Sequence, residues 1–280
     1  MEAIYITHNY LEVYEENKDL MRYASSSSVR VKLLICLSEG IQTMAEIKKA
    51  TGISGSTISN NLSNLEKRKI TTKDGDKYVL SPLGTIITLN LIENIKTTAS
   101  VNKFHQLWVD HEISSIPPEL IKSIGDLENS TLIESESGEI FKPHEVYEKL
   151  VSESKYVKGV SPIFRSSYID LFMKLIVKND SRVELILTND ILKQTLAGID
   201  AESLKDLKES ISKEKVKLYV INEDVKVAFT VTDKHLSLGL FYQKGDYDNT
   251  RDLVSDDPDA VSWGNRLYEY YRNKSLIVEL

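Results

Sequence analysis

Between Ser25 and Gly84, turn-forming residues recur so closely that neither a long helix nor a broad sheet fits there. The run Ser25-Ser26-Ser27-Ser28 ends a polar helix over 11–23 and supplies N-cap candidates. A short helix over 29–37 follows, with Val31, Leu34, Ile35 and Leu37 expected inside and Gly40 suited to its left-handed end. Thr43, with Glu46 three residues on, reads as a capping box opening a helix over 44–50, which Gly52 ends. A third helix starts at Ser54 or Ser56 and reaches about Arg68. Strands over 70–73 and 77–80, joined by Asp74-Gly75-Asp76, finish the segment. The order helix, helix–turn–helix, two-stranded wing makes an α+β module with a small core.

The third helix carries the chemistry. Ile58, Leu62 and Leu65 fall on one stripe and bury that face. The opposite face holds Ser56, Thr57, Asn60, Ser63, Asn64 and Lys67, with Ser54 and Asn61 beside it. No carboxylate is among them, whereas an ordinary solvated face would include Glu or Asp. Such a face suits the major groove of double-stranded DNA: Asn pairs bidentately with adenine, and Ser and Thr reach phosphates or base edges. The run Lys67-Arg68-Lys69 and the wing lysines Lys73 and Lys77 are placed for flanking phosphates. Charge agrees. Residues 25–84 carry nine Lys/Arg against five Asp/Glu, while residues 85–280 carry 24 against 32, so a basic module is joined to an acidic body.

Gly52-Ile53-Ser54, Ser56-Thr57-Ile58-Ser59, Leu62, Leu65-Glu66 and the later Tyr78-Val79-Leu80-Ser81-Pro82-Leu83-Gly84 carry a resemblance to archaeal winged-helix regulators of the broad ArsR and MarR kind. The whole chain resembles the archaeal methanogenesis-regulator family, in which a winged helix precedes a distinctive effector domain. The second resemblance rests on Ser161-Pro162-Ile163-Phe164 followed by a Tyr and an apolar helix, then Val183-Glu184-Leu185-Ile186-Leu187-Thr188.

Beyond the hairpin, Pro82-Leu83-Gly84 punctuates the chain, and residues 85–112 keep helical periodicity almost without a breaker. That much apolar surface on a small head implies a homodimer with this helix on the two-fold axis, Ile95 and Trp108 included. Pro117-Pro118 is the clearest linker. The expected organisation is a head over 1–84, a linking helix over 85–116 and an effector domain over 117–280. In the last, helices over 118–124, 143–155, 167–177 and 260–274, with one or two more over 190–212, alternate with strands over 156–161, 183–187, 216–221, 225–231 and 237–241. This is an α/β layer with a mixed sheet. Within the helix over 143–155, Val146, Tyr147, Leu150 and Val151 are expected inside, and residues 134–139 read as a loop.

The effector half resembles the phospholipase-D-like fold of TrmB-type sugar-responsive regulators. Phospholipase D enzymes need H-x-K-x4-D, and if Asp233 is that Asp, Lys226 and Ala228 stand at the His and Lys positions. The nucleophile and the phosphate-holding Lys are missing, so a non-enzyme is expected. The rivals are a phosphodiesterase tethered to DNA and a regulator whose second domain binds a protein. Ligands of α/β sheets favour the carboxyl ends of strands. This points to Ser161, Arg165, Ser166 and Tyr168 after one strand and to Thr188 and Asn189 after the next, with Lys226 and Tyr242 beside later ones. Arg165 and Lys226 imply a small anionic effector. The histidines His8, His105, His111, His144 and His235 are scattered, so no metal site is expected, and nothing calls for a cofactor. Cys36 is a core residue, Trp263 packs a helix, and Asp256-Asp257-Pro258-Asp259 caps the closing helix. No run of about 18 apolar residues offers a membrane span, and Met1-Glu2-Ala3-Ile4 does not open a secretory signal, so the cytoplasm is the expected location.

Overall fold

The computed structural model describes residues 9–177 and 181–280. His8 and the segment Met1-Glu2-Ala3-Ile4 lie outside the described residues. The chain divides into two compact units, residues 1–95 and 96–280, each with its own core. The division falls inside a helix and not at 84/85 or 116/117.

The first unit opens with α1 (Tyr10–Ser25), none of whose residues is buried, and α2 (Ser28–Ser38), capped by Ser27, whose side chain accepts from Arg30 N. Leu33, Leu34, Cys36 and Leu37 are the residues α2 buries; Val31 and Ile35 stay half-exposed, because the core-facing stripe is centred one residue away from the expected one. Burial pushes the Cys36 thiol pKa up, which keeps it an apolar core group. A two-residue strand β1 (Gln42–Thr43) leads into α3 (Met44–Thr51). The capping box is complete. Thr43 Oγ1 accepts from Glu46 N, while Glu46 Oε2 accepts from Thr43 N at 2.7 Å. Gly52 ends α3 at φ +68°, the left-handed position a side chain would strain. After α4 (Gly55–Lys67), β2 (Thr71–Asp74) and β3 (Lys77–Leu80) form the hairpin, and β1 pairs with the outer edge of β3. The core joins α2, Ile47 of α3, the Ile58–Leu62–Leu65 stripe of α4 and Ile70.

Pro82-Leu83-Gly84 is not a break. It is the first turn of α5 (Pro82–Lys103), with Ser81 Oγ accepting from Gly84 N at 3.0 Å. Proline is tolerated there because its missing N–H has no partner in the helix anyway. Gly84 is needed for a close approach, since a Cβ on it would meet Ile70 O at 1.9 Å. The long helix expected over 85–112 is interrupted at Phe104, after which α6 (His105–Asp110) continues separately. Phe104 and Leu107 are buried in the core of the second unit, and Trp108 packs against that core with its indole N–H on Ser100 O.

The second unit continues with α7 (Pro118–Lys122), a 3-10 turn at Ile124–Leu127, β4 (Thr131–Glu134), α8 (Lys142–Ser152), β5 (Tyr156–Ser161), α9 (Ser166–Val177), β6 (Arg182–Thr188), α10 (Asn189–Gly198), α11 (Ala201–Ser212), β7 (Val216–Ile221), β8 (Val227–Thr232), β9 (Leu236–Leu240), β10 (Arg251–Ser255), α12 (Pro258–Arg272) and β11 (Leu276–Ile277). Its eight strands run in the order β11-β7-β6-β5-β8-β9-β10-β4. The β5–β6 and β6–β7 pairs are parallel and the others antiparallel, so the sheet is mixed. Three strands, β4, β10 and β11, stand where no strand was expected, and β4 takes in part of the 134–139 loop. Of the residues expected inside α8, Val151 is buried, while Val146, Tyr147 and Leu150 are half-buried. One face of the sheet packs on α12, where Trp263 is fully buried and donates Nε1–H to Leu120 O at 2.9 Å. Asp257 caps α12 by accepting from Asp259 N. On the other face α8, α9 and α11 bury Val151, Leu175, Ile176 and Leu207 over β5, β6 and β7. No described helix is long and apolar enough to cross a membrane.

Candidate functional site

Two sites stand out, one in each unit. In the first, Ile58, Leu62 and Leu65 are fully buried, which turns Ser56, Asn60, Ser63, Asn64 and Lys67 outward, all exposed. Thr57 is half-buried at the margin. Two expected members are occupied locally. Ser54 is the N-cap of α4, accepting from Thr57 N, and Asn61 donates Nδ2–H to Thr57 O at 2.8 Å. Both are spent on holding the helix. Arg68 is exposed but stacks its guanidinium 4.0 Å from the Tyr23 ring centre, with Arg30 at 4.2 Å from the same ring. Tyr23 thus fixes the direction in which Arg68 points. Lys73 and Lys77 are exposed on the hairpin. Lys69, of the expected Lys67-Arg68-Lys69 run, is exposed between α4 and β2 at φ +60°. The outward face of α4 therefore keeps amide, hydroxyl and ammonium groups and no carboxylate.

In the second unit a cavity of about 120 Å³ lies under α8, α9 and α10, reaching the carboxyl ends of β5 and β6. Of the expected ligand residues it gathers Ser161, Arg165 and Tyr168 and leaves out the others. Ser166 is exposed at the start of α9. Thr188 precedes α10 as its N-cap residue, and Asn189 donates to Asn222 Oδ1. Lys226 is paired with Asp224 at 2.9 Å, where the chain has not yet entered β8. Tyr242 stacks on His111, ring centres 4.9 Å apart. The ends of β5 and β6 both meet the cavity, β6 through Leu187 and not through Thr188 or Asn189.

The cavity has polar members that no local pattern revealed. Tyr147 of α8 bonds Thr230 of β8 at 3.1 Å, and His144 Nδ1 lies 3.2 Å from the Tyr168 hydroxyl. Ser237 Oγ donates to Asp252 Oδ2 at 2.6 Å. Asp252 is 7 % exposed, and burial pushes its carboxyl pKa up to about 7, against the Ser237 hydrogen bond that favours the charged form. Burial, then the charge of Arg165, lowers the His144 pKa to about 4, so its ring is neutral at ordinary pH. Burial raises the Tyr147 pKa to about 12.

A third polar cluster is structural. His111 sits with Nδ1 2.7 Å from Leu107 O and Nε2 3.0 Å from Asp248 Oδ2. Asp248 also accepts from Thr250 and Arg251, and Arg251 reaches Asp110. Its hydrogen bonds, that from His111 first, outweigh burial and hold the Asp248 carboxyl well below the usual range. Among the described residues no group of three or more His, Cys, Asp or Glu is arranged to hold a metal ion.

Comparison with known proteins places the chain. The N-terminal domain model of the methanogenesis regulatory protein FilR1 matches residues 18–98, and its middle domain model matches residues 140–274. FilR1 of Methanothrix harundinacea is 26 % identical over 251 residues, covering 90 % of this chain and 56 % of FilR1, so the chain spans about half the length of that relative. An uncharacterized HTH-type transcriptional regulator of Methanocaldococcus jannaschii is 29 % identical over 111 residues, covering 38 % of this chain and 95 % of that protein. Among solved structures, TrmBL2, an archaeal chromatin protein, aligns over 95 % of this chain and 98 % of its own at 13 % identity, with a TM-score of 0.41.

Proposed function

The chain belongs to the family of the methanogenesis regulatory protein FilR1, and from that premise we propose that it is a DNA-binding transcriptional regulator. Its first unit is read as a winged helix-turn-helix, with α3 and α4 as the two helices and β2–β3 as the wing. The observation that carries the reading is the outward face of α4, where Ser56, Asn60, Ser63, Asn64 and Lys67 are exposed together without a carboxylate. Asn60 and Asn64 read bases; Lys67, Arg68, Lys69, Lys73 and Lys77 hold phosphates. Replacing Asn60 and Asn64 by Ala should lower affinity for the operator by roughly 1–3 kcal/mol per lost base contact and leave non-specific binding nearly intact. Replacing Lys73 and Lys77 should instead weaken binding to all sequences and flatten its salt dependence. Anisotropy titration on operator and scrambled duplexes separates the two. Equal losses on both duplexes for the asparagine variants would refute base reading.

The regulator works as a homodimer through α5. That helix leaves Ile86 (63 % exposed) and Leu89 (55 % exposed) uncovered. Trp108 is not part of this surface, since it packs on the core of the second unit. Ile86→Lys with Leu89→Lys should sediment as a monomer at micromolar concentration, where the parent chain sediments as a dimer.

The second unit binds a small ligand in the cavity under α9 and does not catalyse. Counted back from Asp233, Lys226 and Ala228 would stand at the His and Lys positions of a phospholipase-D motif, and Lys226 is engaged by Asp224. A ligand that prefers one conformation of the protein shifts the population between DNA-binding and non-binding states by its difference in affinity for them.

A further inference from the structure

The cavity under α9 is more selective than a general metabolite pocket. Its volume of about 120 Å³ is close to that of an engineered ~150 Å³ apolar cavity that holds benzene. It therefore takes a body of about six carbon atoms. The walls are mostly apolar, with Ile169, Phe172, Met173, Leu185, Leu196 and Leu207 among them, and the polar members are few beside them. A sugar or a nucleotide would leave most of its hydroxyls unpaired against such walls.

The polar end is equally restrictive. Arg165 lines the cavity just before α9, its guanidinium 6.0 Å from the Tyr168 ring centre, and among the described residues no carboxylate pairs with it. A half-buried cation without a partner is satisfied by an anion supplied from outside. The other groups there do not compete as cations: His144 is neutral, and Arg251 is taken by Asp248 and Asp110. Asp252, more than nine-tenths buried and also lining the cavity, accepts among the described residues from Ser237 alone. A phosphate dianion would place two charges near that carboxyl. A monoanion places one and can accept a hydrogen bond when Asp252 is protonated.

We propose that this cavity binds a small monocarboxylate with an apolar aliphatic or aryl body of about six carbons, its carboxylate held by Arg165 and its body enclosed by α9, α10 and the sheet. This rests on reading the second unit as a ligand-binding domain and narrows the ligand to one class.

The test uses the full chain and calorimetric titration with hexanoate, phenylacetate, 1-hexanol and inorganic phosphate. Hexanoate or phenylacetate should bind saturably, 1-hexanol at least tenfold more weakly, and phosphate not at all. Arg165→Gln should weaken carboxylate binding at least tenfold and leave 1-hexanol unchanged. Carboxylate binding should also weaken several-fold as pH rises from 6 to 8, because Asp252 ionises in that interval. The groups facing Asp252 are Tyr147 from α8, Tyr168 from α9, Tyr247 before β10 and Ser237 from β9; all three tyrosines are held neutral by burial. Arg165, His144 and Arg251 line the same cavity, and none of them supplies this pH step. Asp252→Asn should remove the pH dependence.

Binding of 1-hexanol as tight as that of hexanoate, or unchanged affinity in Arg165→Gln, overturns the carboxylate class and leaves the ligand-binding reading standing. No binding of any apolar probe, together with an unchanged melting temperature in the cavity-filling variant Leu196→Trp, overturns both, since the space is then a packing gap.

Discussion

The two units solve the same problem of burying a small core with different kinds of contact. In the first, nearly everything that fixes the fold lies within a few residues along the chain. Thr43 answers Glu46, Ser54 answers Thr57, and Asp74 pairs with Lys77 across a tight turn. In the second, the groups that matter meet across long separations: His111 with Asp248, Tyr147 with Thr230, Tyr268 with Glu184. Local contacts leave the outward face of α4 exposed, and they bury no charge. Distant contacts bring a carboxylate, an imidazole and three tyrosines under one sheet, where burial alters their acid–base behaviour.

The largest effect that could break this contrast comes from Trp263. Both tryptophans of the chain, Trp108 and Trp263, lie in the second unit, so indole emission reports that unit alone. Trp263→Ala removes a fully buried ring and the shorter of the two hydrogen bonds to Leu120 O, leaving that from Ser123 Oγ at 3.4 Å, and should cost about 3–5 kcal/mol. The unfolding midpoint followed by Trp108 emission should fall, while the first unit, assayed by operator binding before that midpoint, should be unaffected. A matching loss in the first unit would show that the units are not independent in stability.

A smaller effect sharpens the contrast. The folded-state pKa of Asp252 is raised, so its contribution to stability is fully present below the unfolded value of about 4 and is lost as pH rises through about 7. Between pH 5 and pH 8 the second unit should lose roughly 2–3 kcal/mol from this group. Asp252→Asn should remove that slope. Urea midpoints read by indole emission across this range decide it; a flat wild-type profile would mean that Asp252 stays solvated.

The smallest effect belongs to the first unit. Thr43→Ala removes the capping box of α3 and should cost about 1 kcal/mol. Circular dichroism at helical wavelengths should shift while indole emission does not.

What was legible in the sequence follows the same division. Caps and turns are written in neighbouring residues, so Thr43 and Gly52 were found where they act, Ser54 as one of two candidates and Asp257 within the run 256–259. Strands β4, β10 and β11 were not, because each is short and takes its place only by pairing with a remote partner. β10 reads Arg-Asp-Leu-Val-Ser, and nothing in that string says that Asp252 is buried. The candidate cavity was half legible for the same reason. Ser161, Arg165 and Tyr168 follow one strand in sequence, whereas His144, Tyr147, Thr230, Ser237 and Asp252 arrive from four other elements. The break at Phe104 was hidden too, since periodicity runs on through it and only the burial of Phe104 and Leu107 separates α6 from α5.

The position of β4 at the margin of the sheet sets an order of assembly. β4 emerges from the ribosome before every other strand of the second unit, yet it pairs with β10, as in Thr131 with Val254, more than a hundred residues later. Closing so long a loop costs entropy before the pairing returns anything, so β4 joins after the strands between have set. The first unit needs no such wait: its residues can be structured while most of the second is still being translated. A nascent chain stalled before β10 should thus carry a finished first unit and an unpaired β4, with its row of backbone donors and acceptors open to chaperones.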